Sequence, residues 1–264
     1  MINIMKINDN IHKINTPYKD IFTTVCTVKT DEGVLIFDAA SFDNDVEDYI
    51  LPMLKELEIS AEDIKYIFIS HNHKDHAGAL RKLLEYMPDV TVLSRCDKLK
   101  ESYCDYNVVA PDDGDSVLGV LKVVTIPGHT HDSMAILDTR TSALITGDCL
   151  QVYGIFGSQD WGSNIGFPAE HLEAVEKVRK MNVNEIYTAH DYHPVGVCAC
   201  GTDEVSSLLD GCVEPIMKVK SLIVENPEKD DAEIRLMYNS SDDIPPITTR
   251  LVETTRKALN DGRL

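Results

Sequence analysis

The sequence predicts a mixed α/β chain with two sheets and helices outside them, followed by a helical extension. Three observations carry this. Short apolar runs rich in β-branched residues alternate with helical patterns over roughly the first 200 residues. The strand runs fall into two groups placed before and after helices, as two helix-covered sheets require. Past Gly201 the strand signals stop and three helical patterns follow.

The elements follow in order. The first forty residues read as short strands joined by tight turns. Thr23 to Lys29 is β-branched, Asp31-Glu32-Gly33 is a turn, and Val34 to Phe37 is a buried strand ending at Asp38. Asp45 to Leu57 is helical, with Pro52 as a kink or a start. Ser60 to Asp63 resembles a helix cap. Tyr66 to Ser70 is a strand, His76 to Tyr86 a helix, Val90 to Ser94 a strand and Asp97 to Tyr103 a helix. Val117 to Ile126, Met134 to Asp138 and Ala143 to Thr146 read as three strands. Pro168 to Met181 is a helix with proline in its first turn, and Glu185 to Thr188 is the last strand. Val205 to Val224, Ala232 to Tyr238 and Thr248 to Asn260 are helices. No linker divides the chain, so the expected organisation is an α/β body over 1–202 and a helical extension over 203–264 packed on it.

With 264 residues and 43% hydrophobic content, the chain can bury one large core or two small ones. Disordered, fibrous and disulfide-scaffold classes are thereby excluded. Forty-four acidic against 25 basic residues give a formal charge of −19. Such a surface repels phosphate backbones, so neither nucleic acid nor an anionic membrane is an expected partner. No stretch approaches the roughly 20 apolar residues that span a bilayer, and the N-terminus shows no signal-peptide core. Seven scattered cysteines fit a reducing cytoplasm better than a disulfide framework.

Ser70-His71-Asn72-His73-Lys74-Asp75-His76-Ala77-Gly78 places three histidines and an aspartate at a strand end entering a helix. Imidazole nitrogens and carboxylate oxygens are ligands that Zn²⁺ and similar ions accept. The turn sends His71 and His73 one way and Asp75 and His76 another, which suits two adjacent ions better than one. Gly128-His129-Thr130, Gly147-Asp148 and His190 each follow another apolar run. Strand ends converging on one place are how α/β scaffolds build active sites.

H-x-H-x-D-H, then G-H-T, then G-D, then a late His resembles the motif order of the metallo-β-lactamase-fold hydrolases, over residues 10 to 195. Asp38 matches an early Asp that such proteins carry near the site. The resemblance implies an αββα sandwich. It implies that His71, His73 and His129 bind one divalent metal, that Asp75, His76 and His190 bind a second, and that Asp148 bridges them. Zinc is the default, with iron or manganese in similar sites. The implied reaction is hydrolysis of a small-molecule ester, thioester, lactone or amide by a metal-bridging hydroxide. Asp75 and Asp148 are the candidate catalytic residues, Asp75 as proton acceptor or orienter of the nucleophile.

His131 and His193 either line the substrate pocket, act beside the ligands, or are ordinary loop histidines. Tyr192 flanks a ligand, and Gly154 to Phe167, which holds the only tryptophan, Trp161, is a candidate pocket loop. His12 and His171 read as structural. Cys149 reads as a small buried residue. Cys198 and Cys200 with Cys212 form at most a weak second zinc signal, because paired C-x-x-C spacing and a fourth ligand are missing.

Within the resemblance, a thioesterase of the hydroxyacylglutathione-hydrolase kind and a lactonase fit size and motif, although the helical tail shows no basic cluster for a glutathione carboxylate. An RNA or phosphodiester hydrolase shares the ligands but is opposed by the charge. Non-hydrolytic iron enzymes are the other class. Flavodiiron oxidoreductases carry a carboxylate where His73 stands, and persulfide dioxygenases use one iron. A homo-oligomer is compatible with the sequence.

Overall fold

The structure, a computed structural model, describes residues 3–156 and 161–264. The chain divides into two compact units, Met1–Val124 with Ile136–Thr139, and Thr125–Ala135 with Arg140–Leu264.

One seven-stranded sheet lies in the first unit: β1 (Met5–Lys6), β2 (Ile11–Tyr18), β3 (Ile21–Thr30), β4 (Gly33–Phe37), β5 (Ile64–Phe68), β6 (Thr91–Leu93) and β7 (Val108–Val109), in that spatial order. β1 to β4 are antiparallel neighbours because two-residue turns join β2 to β3 and β3 to β4. Lys19 (φ 50°) and Gly33 (φ 136°) take the positive φ these turns demand. From β4 onward the neighbours are parallel, so each return needs a crossover.

The first crossover holds α1 (Asp43–Asp45), a wider helical turn over Val46–Ile50, and α2 (Leu51–Glu56), where Pro52 sits in the first turn. The Ser60 cap forms as expected: its backbone N–H donates to Asp63 Oδ2 at 2.8 Å. The helix expected over His76 to Tyr86 is two, α3 (Lys74–Ala77) and α4 (Leu80–Tyr86). The break has a steric cause. Ala39 N–H donates to His76 O at 2.7 Å, so the segment after β4 crosses α3 at backbone distance. A Cβ on Gly78 would lie 2.3 Å from the carbonyl oxygens of Lys74 and Ser41. Leu80, Leu83 and Leu84 of α4 then join Ile36, Ile67 and Val92 in the core of this unit.

A second, mixed sheet has six strands in the order β13-β12-β11-β10-β9-β8. They are β8 (Ser116–Val117), β9 (Leu121–Thr125), β10 (Met134–Asp138), β11 (Ala143–Gly147), β12 (Glu185–Tyr192) and β13 (Gly196–Cys200). The strand expected over Val117 to Ile126 is a hairpin, because Leu118 (φ 48°) and Gly119 (φ 68°) turn the chain. β12 also outruns its expected end at Thr188, and β13 was not expected at all. Its Gly-Val-Cys-Ala-Cys run has little bulk to signal a strand, and only the ladder to β12 fixes it. A short α5 (Asp97–Ser102) precedes β7.

The second unit holds α6 (Pro168–Lys180), α7 (Thr202–Glu225), α8 (Asp231–Tyr238) and α9 (Thr249–Asn260). Ile216, Val219 and Ile223 of α7 pack with Ile234 and Tyr238 of α8 and Leu251 and Val252 of α9. Among the described residues no helix is long and apolar enough to cross a membrane.

His171 of α6 is 1% exposed, and the Cys212 carbonyl approaches it without completing a hydrogen bond to either ring nitrogen. It packs against Gly128, where a Cβ would lie 2.6 Å from the His171 Cβ.

Two consequences are measurable. Gly78→Ala should cost at least about 1–3 kcal/mol from overpacking, although alanine is the better helix former by about 1 kcal/mol. A denaturation midpoint equal to or above that of the parent would contradict the backbone crossing. Burial lowers the His171 pKa to about 4 against an ordinary 6.5, so the folded state holds the ring neutral while the unfolded state protonates it. Stability should therefore be intact above pH 6.5 and fall on acidification toward pH 4, by up to about 3 kcal/mol from this residue. His171→Gln should flatten that part of the pH–stability curve relative to the parent; parallel curves would refute the assignment.

Candidate metal centre

The C-terminal ends of β4 and β5 lie side by side, with Phe37 paired to Phe68. Asp38 and Ser70 therefore emerge together. Asp38 turns at φ 63°, a left-handed conformation that Asp tolerates better than most residues. Its carboxylate is fully buried and accepts three hydrogen bonds. Ser70 N–H reaches Oδ1 at 2.8 Å, Ser70 Oγ reaches Oδ2 at 2.9 Å, and His76 Nδ1 reaches Oδ2 at 2.7 Å. Burial pushes the Asp38 carboxyl up; the His76 ring and the Ser70 donors pull it back.

These contacts fix protons. A carboxylate only accepts, so the proton of His76 is on Nδ1. Ser70 Oγ spends its hydrogen on Asp38, so at 3.0 Å from His71 Nδ1 it accepts from that ring as well. Both imidazoles thus present Nε2 as a lone pair. His71 Nε2 lies 2.9 Å from His73 Nδ1, and His76 Nε2 lies 3.4 Å from Asp75 Oδ2. Asp75 is held by the Thr23 hydroxyl, which donates to Oδ2 at 3.1 Å.

The second unit is built the same way. His129 Nδ1 is 2.6 Å from the Asn164 carbonyl, which can only accept, so its Nε2 is again the lone pair. That atom lies 3.6 Å from Asp148 Oδ2. Asn164 N–H donates to Gln151 Oε1 at 2.7 Å, which leaves the Gln151 amide nitrogen 3.0 Å from His129 Nδ1 and 3.5 Å from Asp148 Oδ2. His190 Nε2 and the Tyr192 hydroxyl lie 3.0 Å and 2.8 Å from Asp148 Oδ1.

Residues that could hold a metal ion are gathered in each unit among the described residues: His71, His73, Asp75 and His76 in the first, and His129, Asp148 and His190 in the second. The donor set fits a divalent cation. Lone-pair nitrogens and carboxylate oxygens at this spacing repel one another unless positive charge lies among them. Imidazoles whose other nitrogen donates to a carboxylate, hydroxyl or carbonyl are the usual form of a metal-binding histidine.

The remaining sequence candidates are placed as follows. Tyr192 touches Asp148 and Asp38 touches His76. His131 is exposed, with its ring 3.5 Å from that of Phe167. His193 packs against Phe156 and Tyr153, at 4.5 Å and 6.2 Å between ring centres. Trp161 is half-buried, and Gly157 to Asp160 of the glycine-rich loop lie outside the described residues. Cys149 is buried, with Sγ 3.7 Å from the Met134 carbonyl. Ser70, Thr23, Gln151 and Asn164 also touch the ligands and were not singled out in the sequence. Ser70 adjoins the histidine motif and Gln151 follows Asp148 by three positions, which are weak signals. Asn164 falls within the candidate pocket loop Gly154 to Phe167 without having been named, and Thr23 has no signal, because only folding brings it there.

A family described as the metallo-beta-lactamase superfamily matches residues 20–190. A "Beta-lactamase-like protein 2 homolog" of Caenorhabditis elegans is 26% identical over 186 residues, 68% of this chain and 57% of that protein. A "Hydroxyacylglutathione hydrolase" of Francisella philomiragia is 30% identical over 137 residues, 49% of this chain and 50% of that protein. The chain thus spans about half the length of these curated relatives. Among solved structures, a metallo-beta-lactamase from Pontibacter korlensis has a TM-score of 0.61 at 17% identity, covering 81% of this chain and 98% of that one. A flavo di-iron protein mutant from Thermotoga maritima has a TM-score of 0.66 at 19% identity, covering 83% and 62%. At these identities the structural likeness establishes the fold alone.

Asp38→Asn tests the proton assignment. The amide would turn a donor toward Ser70 Oγ–H or His76 Nδ1–H. Divalent-metal affinity, measured by chelator competition, should fall about 10–100-fold while the chain stays folded. Unchanged affinity would sink the assignment.

Proposed function

The chain belongs to the metallo-beta-lactamase superfamily, and from that membership we propose that it is a dinuclear metal-dependent hydrolase of a small-molecule ester, thioester, lactone or amide. The observation that carries this reading is the donor set, four ligand-type side chains in the first unit and three in the second, with imidazoles that offer Nε2. His71, His73 and His129 would hold one ion, Asp75, His76 and His190 the other, and Asp148 would be shared. Zinc is the preferred metal, with iron or manganese as the alternatives. When bound, two such ions supply Lewis acidity and lower the pKa of a shared water toward about 7.

The side chains have separable tasks. Asp38 and Ser70 hold the rings of His71 and His76 in the tautomers that offer Nε2. Asn164 does the same for His129 through its carbonyl. The Tyr192 hydroxyl and the Gln151 amide orient the two Asp148 oxygens. Asp75, held by Thr23, is the residue proposed to accept a proton from the nucleophile. Tyr153 and Phe156 form an aromatic cluster with His193, which lies three residues beyond His190, and this is the proposed contact with the organic part of the substrate. The relatives named hydroxyacylglutathione hydrolases favour a thioester within the proposed class. The formal charge of −19 weighs against an RNA substrate.

An oxygen-reducing or dioxygenating iron enzyme is the competing reading, prompted by the flavo di-iron neighbours. His73, where flavodiiron enzymes have a carboxylate, weighs against it. Metal quantification followed by a panel of esters, thioesters, lactones, amides and phosphodiesters separates the two. The expected result is two zinc ions per chain and turnover of one of the carboxylic-acid derivatives. His76→Ala and Asp148→Ala should each lower that rate by at least about 10²–10³-fold, with unchanged circular dichroism. A single iron with oxygen uptake, or full hydrolysis by metal-stripped protein, would overturn the proposal.

A further inference from the structure

Outside the metal residues, one pair of chemically reactive side chains is brought together by the sheet. Cys198 and Cys200 lie two apart in β13, so they share a face, while Ala199 between them is buried on the other. β13 stands at the end of its sheet. Cys198 is half-buried and Cys200 exposed, so a small solute can reach both thiols. Across the ladder, Cys198 pairs with Tyr187 and Cys200 with Glu185, which puts all four on one face.

Geometry disfavours a disulfide here. Residues two apart in a strand are separated by about 6.6–6.8 Å between Cα atoms, at the outer limit of about 6.8 Å for an S–S bond. A bond formed at that limit is strained and readily reduced. An ion bridging the sulfurs through two bonds of about 2.3 Å relieves that mismatch. Nearby oxygens are already engaged: the Tyr187 hydroxyl donates to Glu185 Oε2 at 2.9 Å, and Cys200 N–H donates to Glu204 Oε2 at 2.8 Å. Cys212 is fully buried within α7. Among the described residues no group of three or more His, Cys, Asp and Glu that could hold a metal contains a cysteine. A four-ligand zinc site of these cysteines is therefore not assembled, and the pair suits a soft cation content with two thiolates.

We propose that Cys198 and Cys200 form a two-thiolate site for a soft monovalent cation of the Cu(I) class, independent of the histidine and carboxylate groups. Binding exchanges two S–H bonds for two S–Cu bonds: Cu⁺ and two thiols give a bis-thiolate complex of charge −1 and two protons in solution. No oxidant or reductant takes part. Burial, the neighbouring Cys198 thiol and the Glu185 carboxylate raise the Cys200 thiol, so uptake strengthens with rising pH.

The test is an anaerobic titration of the divalent-metal-loaded protein with Cu(I), in competition with a chromogenic Cu(I) chelator. The parent should take up one tightly held equivalent and develop a thiolate-to-copper ultraviolet band. Cys198→Ser and Cys200→Ser should each weaken that equivalent by at least about tenfold, the lower end of what even an outer change costs a metal site. Cys104→Ser, which alters an exposed cysteine elsewhere, should retain it. Cys200→Ala, at an exposed position, provides a second variant should a serine at 198 disturb folding. Absence of uptake by the parent, or uptake that survives in the Cys200 variants, overturns the proposal. Divalent-metal content is followed in parallel and should stay constant throughout.

Discussion

The orientation of His71 and His76, two of the candidate metal residues of the first unit, depends on one buried carboxylate. Asp38 accepts three hydrogen bonds in a space closed to solvent, and two of them decide where protons sit on neighbouring rings. Without it, Ser70 Oγ has no fixed acceptor and His71 has no fixed tautomer. An imidazole with the wrong nitrogen protonated presents a hydrogen to a cation instead of a lone pair. The left-handed backbone at Asp38 is part of the same arrangement, since it turns the chain out of β4 at the point where Ser70 leaves β5.

The second unit solves the same problem with different atoms. A backbone carbonyl, that of Asn164, sets the His129 tautomer, and a phenol and an amide orient Asp148. Each places a lone-pair nitrogen near a carboxylate oxygen, His76 Nε2 by Asp75 and His129 Nε2 by Asp148. Mutual repulsion of that kind is tolerated in a folded chain when a cation compensates it. The overall acidity of the chain belongs to a different level. It is a solvated surface property that sets which partners approach, whereas Asp38, Asp75 and Asp148 are buried and answer to local chemistry.

Legibility varied with the range of the interaction. The strands expected over Val34 to Phe37 and Ala143 to Thr146 were readable because continuous apolar runs need no partner to be recognised. The break between α3 and α4 was not, since Gly78 looks like an ordinary helical glycine until Ser41 is placed against it. The turn at Leu118-Gly119 hid because leucine rarely adopts positive φ. β13 hid because its small side chains carry no pattern apart from the neighbour they pair with. The ligand types at His71, His73, Asp75, His76, His129, Asp148 and His190 could be read as a motif series. Thr23, which touches Asp75 from another strand, could not, and Asn164 was legible only as part of the loop Gly154 to Phe167.

The sequence by itself determined the chemistry on offer: which nitrogen and oxygen donors exist, that several of them end apolar strands, and that the surface is strongly acidic. These are local properties, written in composition and in spacing along the chain. Only the tertiary structure decided which ring nitrogen of His71, His76 and His129 meets a fixed acceptor, which backbone crossing forces glycine at 78, and which two cysteines share a strand face. Those depend on atoms far apart in sequence meeting within a few ångströms, a distance that no periodicity along the chain encodes.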